Sequence, residues 1–203
     1  MRAMVVVMVL VLAAPGAARA DGTYFAEELG TFDVRGELGD VLDGGGVALR
    51  AMLGRRVGRL AVEGGVGVFE MTGRGAYRDQ SYTTLHYGVD VKYHWPLSDW
   101  SQVYVRGGLR QLDIKNGPFG GGELSSYSGR ALAWGAGIHA GGKVPALGLL
   151  FFPLFFCECG PKVKAAVTFD WSHQQTHLSS GSGESLDGGI NAMMVGFAVG
   201  SDF

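Results

Sequence analysis

Apolar residues alternate one by one with polar or small residues over short stretches along most of this chain. Successive side chains of a strand point to opposite faces, so a period of two predicts strands with one apolar face and one polar or bare face. Residues 84–95 show it best: Leu, Tyr, Val, Val, Tyr and Trp alternate with Thr, His, Gly, Asp, Lys and His. An outer face this apolar is typical of a strand that contacts lipid.

Eight strands are predicted in this way, and they make the protein all-β. They span residues 31–38, 47–53, 60–71, 84–95, 103–112, 130–141, 163–172 and 189–203. Inside a membrane every backbone polar group needs a partner, so the last strand has to pair with the first. We therefore predict an eight-stranded antiparallel up-and-down transmembrane β-barrel, with eight the smallest even number usual for such barrels.

Composition and charge narrow the class further. The 203 residues include 35 glycines, and only 18% of them are charged. Beyond the first residues, the only long apolar run is broken by Pro145 and Pro153, which excludes helices that span a membrane. A net charge of −2 offers no basic face for nucleic acid.

The first twenty residues have the pattern of a signal peptide. Arg2 provides a positive start, an apolar run follows from Met4 to Ala14, and Ala18 and Ala20 form a small-x-small cleavage site. The run is too short for a membrane-spanning helix. We expect residues 1–20 to be removed, so that the mature chain begins near Asp21 and forms one barrel domain over 21–203.

The last strand carries a recognisable ending. From Val195 to Val199, large apolar residues alternate with glycine or alanine, and the chain closes on Phe203. This ending resembles that of bacterial outer-membrane β-barrels. The resemblance implies that Phe203 is an assembly signal read by the barrel-assembly machinery. It also implies that the protein lies among the lipids of the outer membrane of a Gram-negative bacterium.

The inward faces of the predicted strands carry charge of both signs. An eight-stranded barrel is only wide enough for its own side chains, so charges inside have to pair and hydrogen-bond. Six acidic and six basic residues are expected there: Asp33, Glu37, Glu63, Asp90, Asp170 and Asp202 with Arg35, Arg50, Lys92, Arg106, Arg110 and Lys164.

This interior resembles the transmembrane domains of the OmpA/OmpX type. The expected function is therefore structural or surface-interacting, with a charge-filled lumen that does not conduct and with no cofactor. A small-solute pore is the alternative, and the two differ in whether the inward charges meet across the lumen.

A second alternative is enzymatic. Lipid A deacylases of similar size use a His-x-Ser pair and an acidic residue near the outer rim, and His177 and Ser179 have this spacing. Glu184 or Asp187 would be the third member. Serine activated by a histidine that a carboxylate orients is the minimum machinery for ester hydrolysis. Against this, serines crowd the loop, and Ser180 replaces the amide residue that such enzymes carry after the catalytic serine.

The connections suggest an orientation. If both termini lie in the periplasm, residues 72–81, 115–129 and 179–188 form the longer extracellular loops, and the turns at the other end are short. The connection 143–162 breaks this rule, because it contains the apolar stretch that begins at Val144 and runs to Cys159. Such a stretch either folds against the barrel rim or the lipid, or binds a partner.

Two cysteines lie inside that stretch. Cys157 and Cys159 are too close in sequence for an unstrained disulfide, and a Cys-x-Cys pair alone is a weak signal for a soft metal such as Cu(I). We expect structural or oxidised cysteines rather than a metal site.

Overall fold

The computed structural model describes residues 22–75, 78, 80–116, 127–145, 162–181 and 183–201. The predictions for the signal peptide, for Cys157 and Cys159 and for Asp202 and Phe203 lie outside these residues. The same holds for the connection beyond residue 145.

Nine strands and one short helix follow one another along the described chain. They are β1 (Gly22–Gly36), α1 (Glu37–Val41), the two-residue β2 (Leu42–Asp43), β3 (Val47–Val57), β4 (Leu60–Gly73), β5 (Ser81–Pro96), β6 (Ser101–Asn116), β7 (Tyr127–Pro145), β8 (Lys162–Ser180) and β9 (Ser185–Gly200). All nine strands belong to one antiparallel sheet. The short β2 pairs only with the end of β4, and the other eight strands form a barrel that closes where β9 pairs with β1. The predicted fold class, an eight-stranded antiparallel barrel, is confirmed.

The stagger of the strands sets the width of the barrel. Each residue of one strand is paired with a residue of the next, so the pairs can be followed once around the barrel. Starting from Ala26 of β1, this path returns to β1 at Gly36, ten residues further on, and this offset is the shear of the barrel. In an eight-stranded barrel a shear of this size corresponds to strands tilted by about 40° and to an interior that side chains fill. We call the end where β1 begins and β9 finishes the near end, and the opposite one the far end.

A continuous apolar belt surrounds the outside of the barrel. Val91, Leu109, Phe169 and Phe197 are 49%, 68%, 55% and 68% exposed on four different strands. On β5 the outward apolar positions run from Leu85 to Trp95, and at about 2.5 Å of axial rise per tilted residue they cover about 25 Å. This is the height of the apolar band on membrane-embedded barrels. The predicted inward and outward faces agree with the structure on β3 to β9.

The first strand is the exception. It begins at Gly22 rather than at residue 31, and its inward residues include Phe32 and Val34, which are 4% and 6% exposed. Asp33 and Arg35, expected in the lumen, lie on the outer surface instead, where the Arg35 Nε donates to Asp33 Oδ2 at 2.9 Å. The expectation was wrong because this part of β1 lies beyond the apolar belt. Water replaces lipid there, and apolar side chains fill the lumen.

The far half of the lumen is an apolar plug. Phe69, Leu112, Leu178 and Ile190 are fully buried in it, and Phe32 packs against Phe69 with ring centroids 4.9 Å apart. Burial of apolar surface inside the barrel favours this closed arrangement as it does in a soluble core.

The helix α1 caps this plug. Gly36 has a φ of 73°, a conformation that only glycine adopts readily, and it turns the chain inward so that Leu38 is fully buried. Gly188 makes room for the helix, since a Cβ at this position would lie 2.6 Å from the Leu38 Cβ. Glu37 was also expected in the lumen, but it is exposed at the helix start, where its Oε2 accepts a hydrogen bond from the Asp187 backbone N–H at 3.1 Å.

The connection between β8 and β9 is tighter than predicted. The strands stay paired up to Ser179 and Ser185, and only four residues separate the end of β8 at Ser180 from the start of β9 at Ser185. The predicted loop 179–188 is therefore wrong, whereas the connection between β4 and β5 lies within the expected range of 72–81. Serine and aspartate suggested a loop, but beyond the lipid belt a strand can carry polar residues on its outer face.

No helix within the described ranges is long and apolar enough to cross a membrane.

Candidate functional site

A charged layer fills the middle of the lumen below the apolar plug. Among the described residues, eight charged side chains are buried inside the barrel, four acidic and four basic: Glu28, Glu63, Asp90 and Asp170 with Arg50, Lys92, Arg106 and Arg110. Their charges balance, as buried charges must.

Six of these side chains form one chain of alternating charge across the lumen. Arg50 joins Glu28 of β1 to Asp170 of β8, with Nη2 3.1 Å from the Asp170 Oδ1. Arg106 continues the chain, because its Nη2 lies 2.6 Å from Asp170 Oδ1 and its Nη1 lies 3.1 Å from Asp90 Oδ2. Arg110 ends it, donating to Asp90 Oδ2 at 2.6 Å.

Hydrogen bonds from neutral groups hold this chain in place. The Tyr104 hydroxyl donates to Asp170 Oδ2 at 2.7 Å, and the Thr168 hydroxyl donates to Glu28 Oε1 at 3.2 Å. Arg110 Nη1 lies 3.3 Å from the His86 Nδ1, which accepts when Arg110 donates. Each carboxylate in the chain thus has two or more partners. The network is only partly satisfied, because Asp90 Oδ1, Arg50 Nη1 and Arg106 Nε are buried without a hydrogen-bond partner among the described residues.

The other two charges pair nearer the near end. Lys92 Nζ lies 2.8 Å from Glu63 Oε1, and the same oxygen accepts a hydrogen bond from the Tyr24 hydroxyl at 2.6 Å. The ammonium group also lies 4.2 Å from the ring centroid of Tyr104, a cation–π contact. Tyr104 contacts both groups of charges and so connects them.

Inward glycines leave the space that these long side chains need. A Cβ at Gly88 would lie 2.7 Å from the Arg110 Cγ, and one at Gly135 would lie 3.2 Å from the Arg106 Nε. The high glycine content thus has a structural use, since small positions beside large ones let the interior interdigitate.

One member of the network was not predicted from the sequence. Glu28 escaped notice because the first strand was taken to begin at residue 31, although the alternation continues back through Glu28 to Tyr24. Lys164, which was predicted inside, lies on an inward position at the near end and is half-buried. It lines the mouth of the barrel together with Arg56 and His139 rather than the charged layer.

A second cluster lies on the outer surface at the far end. His177 of β8 faces Asp187 of β9, and the His177 Nδ1 is hydrogen-bonded to the Asp187 Oδ1. Both side chains are exposed, at 71% and 63%. Ser179 lies two residues along β8 on the same face, where its hydroxyl donates to the Ser128 carbonyl at 3.4 Å.

Of the two acids considered for this cluster, the structure brings only Asp187 to the histidine. Glu184 instead accepts a hydrogen bond from the Tyr127 hydroxyl at 2.9 Å, because the tight turn carries it towards β7. Arg130, the β7 residue paired with His177, is also exposed and adds a positive charge beside it.

The inward histidines belong to the packed interior. His86 stacks on Phe69 with centroids 4.5 Å apart, and His94 and His139 both pack near Tyr104. Within the part of the chain that the structure describes, no three His, Cys, Asp or Glu side chains come together as metal ligands would.

Comparison with known proteins gives likenesses of fold. No family model matches the chain, and no curated protein matches it in sequence. Among solved structures, the chain is similar to the attachment invasion locus protein Ail of Yersinia pestis in complex with the heparin analogue sucrose octasulfate. Here the identity is 15%, 88% of this chain and 97% of that chain are covered, and the TM-score is 0.49.

Two proteins of Pseudomonas aeruginosa are similar as well. The N-terminal β-barrel domain of OprF shares 15% identity, with 85% of this chain and 96% of that chain covered and a TM-score of 0.42. The outer membrane protein OprG shares 12% identity, with 92% and 99% covered and a TM-score of 0.47. Nothing about activity follows from likenesses this distant.

Proposed function

We propose that the protein is an outer-membrane β-barrel of structural or surface-interaction type whose lumen is closed to ions. The support for a membrane location is the apolar belt, since exposed side chains such as Leu109, Phe169 and Phe197 encircle a closed sheet that has no free edge. Trp95 and Trp100, 40% and 65% exposed at the near end, fit an aromatic girdle at one interface.

The location proposal includes the orientation and the partners expected from the sequence. The near end faces the periplasm, and the far end, where α1 and the β8–β9 turn lie, faces outward. The barrel contacts outer-membrane lipid and is inserted by the barrel-assembly machinery after removal of residues 1–20. The stretch from Val144 to Cys159 lies on the periplasmic side, where it either folds against the rim or the lipid, or binds a partner.

The observation that carries the closed-lumen proposal is the chain of ion pairs from Glu28 to Arg110. Side chains in it are at most 8% exposed, which supports a lumen without a water-filled channel at this level. Above it the apolar plug seals the far half of the lumen. An ion crossing the barrel would have to separate paired charges in a dry interior, which is strongly unfavourable.

This proposal predicts that the purified protein shows no steady conductance in planar lipid bilayers. Brief, small events are compatible with it, because side chains in the charged layer fluctuate. A porin measured in the same bilayers provides the positive control. A stable channel with porin-like conductance would contradict the proposal and would mean that the charged layer is open in the membrane.

A second function is favoured by one specific observation, the contact of His177 with Asp187. A carboxylate on the Nδ1 holds the imidazole so that its Nε2 can take a proton from a nucleophile, which is the arrangement in esterases. Ser179 lies two residues along β8 on the same exposed face. Catalysis would require its hydroxyl to leave the Ser128 carbonyl and to hydrogen-bond to the His177 Nε2. The reaction would be ester hydrolysis of lipid A in the outer leaflet.

The test measures fatty-acid release from purified lipopolysaccharide by mass spectrometry, with the protein folded in detergent micelles. If the cluster is catalytic, Ser179→Ala and His177→Ala each lower the rate by at least about 100-fold. Ser185→Ala is the matched control, because Ser185 pairs with Ser179 across the turn and is equally a rim serine. No release above background by the wild-type protein, or equal rates for all three variants, would remove this function.

A further inference from the structure

A cavity of about 400 Å³ lies in the mouth of the barrel at the near end. His139 and Ala166, which are 2% and 4% exposed, line its inner end. None of the eight side chains of the charged layer is among the described residues that line it. Small-molecule sites in proteins have volumes of about 300–1,000 Å³, so the cavity is large enough for a ligand.

The charged side chains around this cavity are mainly cationic. Arg56 of β3, Lys143 of β7 and Lys164 of β8 line it, and the carboxylate of Asp99 is the one negative charge among its described lining residues. The charged layer further in holds equal numbers of acids and bases, so it does not offset this excess of positive charge. The mouth therefore favours an anion.

Two of these cations are direct neighbours across the sheet. Lys143 and Lys164 are paired between β7 and β8, and both lie on the inward faces of their strands. Like charges directly opposite each other destabilise a sheet. An anion that accepts hydrogen bonds from both ammonium groups would remove this repulsion, and a phosphate group has several oxygens with which to do so.

The third cation is oriented by its neighbours. Arg56 donates from Nε to the Gly58 carbonyl at 2.6 Å and from Nη1 to Gln102 Oε1 at 2.8 Å. Because Gln102 Oε1 accepts, its Nε2 is the donor towards His139 Nδ1 at 3.4 Å. Arg56 Nη2 makes no hydrogen bond within the described part of the chain. A guanidinium group held in this way is preorganised to donate to an anion.

We propose that the near-end cavity is a binding site for a phosphate group, with Arg56, Lys143 and Lys164 as the residues that bind it. The site does not depend on which side of the membrane the near end faces. A water-soluble phosphate ester and the headgroup of a neighbouring phospholipid present the same group, and the second experiment below distinguishes these two sources.

Titration calorimetry with glycerol 1-phosphate tests the site on the folded protein in dodecyl maltoside micelles, which contain no phosphate. We expect saturable binding at one site. Lys143→Gln and Lys164→Gln should each raise the dissociation constant at least about tenfold, the effect of losing one charge-assisted hydrogen bond. Migration of the folded barrel on unheated gels verifies that each variant is folded.

Arg59→Gln is the matched control for these variants. Arg59 lies in the turn between β3 and β4 at the same end, but it does not line the cavity. Its replacement removes the same charge and should change the dissociation constant by less than about twofold. No binding by the wild-type protein, or an equal loss of affinity in Arg59→Gln, would overturn the proposal, because the second result would reflect only the overall charge of this end.

The source of the phosphate is tested by adding phosphatidylglycerol to the micelles, with oleate in its place as a control for surface charge. If a lipid headgroup occupies the cavity, phosphatidylglycerol raises the dissociation constant for glycerol 1-phosphate at least about tenfold above its value with oleate. If the ligand is a soluble ester, the two lipids have equal effects. Both results support the phosphate site. Binding that Lys164→Gln weakens no more than Arg59→Gln does in either micelle would contradict it.

Discussion

Replacing Asp170 with alanine is expected to destabilise the folded barrel by about 3–5 kcal/mol, because a buried ion pair loses one partner while the other charges stay buried. Asp170 accepts from Arg50, Arg106 and Tyr104, so its removal leaves two buried guanidinium groups without this carboxylate. The free energy of unfolding is measured by urea titration of tryptophan fluorescence in lipid vesicles.

Two matched variants make this measurement decisive. Asp170→Asn keeps the shape and one acceptor oxygen but loses the charge, so its effect should lie between wild type and Asp170→Ala. Asp33→Ala removes a carboxylate that also pairs with an arginine, but on the outer surface, where the side chains are 58% and 71% exposed. Such pairs contribute about 0–1 kcal/mol. Equal losses for Asp170→Ala and Asp33→Ala would show that the charged layer is hydrated rather than buried.

Arginine in place of Val91 is expected to lower the stability in lipid by about 2–4 kcal/mol, the effect of a charged side chain on the lipid face near mid-depth. Val91 is 49% exposed on the outer face of β5, between Val89 and Tyr93. Urea titration in vesicles, together with the yield of folded protein on unheated gels, provides the measurement.

The control for this variant lies on the same strand and the same face. Thr83→Arg adds the same side chain to β5 beyond the apolar belt, where Leu85 is the first large apolar outward residue. We expect a change within about 1 kcal/mol, because charged substitutions lose most of their effect near the interface. If both arginines were equally harmful, or equally harmless, the belt would not be the lipid-facing surface.

The two-residue period of the sequence was enough to predict the barrel and most of its faces. On β5 and on the first half of β6 it separated lipid-facing residues such as Val91 and Val105 from lumen residues such as Asp90 and Arg106, because apolar and polar positions alternate there. On β1 the same period marked two faces but not which of them points inward. Outside the lipid belt an apolar face belongs to the lumen, and Phe32 and Val34 follow that rule.

Alternation along the chain is therefore sufficient for local features: the strands, their two faces and the balance of charge. Which charges meet depends on how the strands are arranged in the barrel. Arg50 and Asp170 are far apart in the chain and pair only because closure and shear bring β3 and β8 to the same depth across the lumen. Similarly, Asp187 rather than Glu184 reaches His177 because the turn after β8 is four residues long and keeps the strands in register. Alternation along a strand carries no information about register between strands, and contacts across a closed sheet depend on that register.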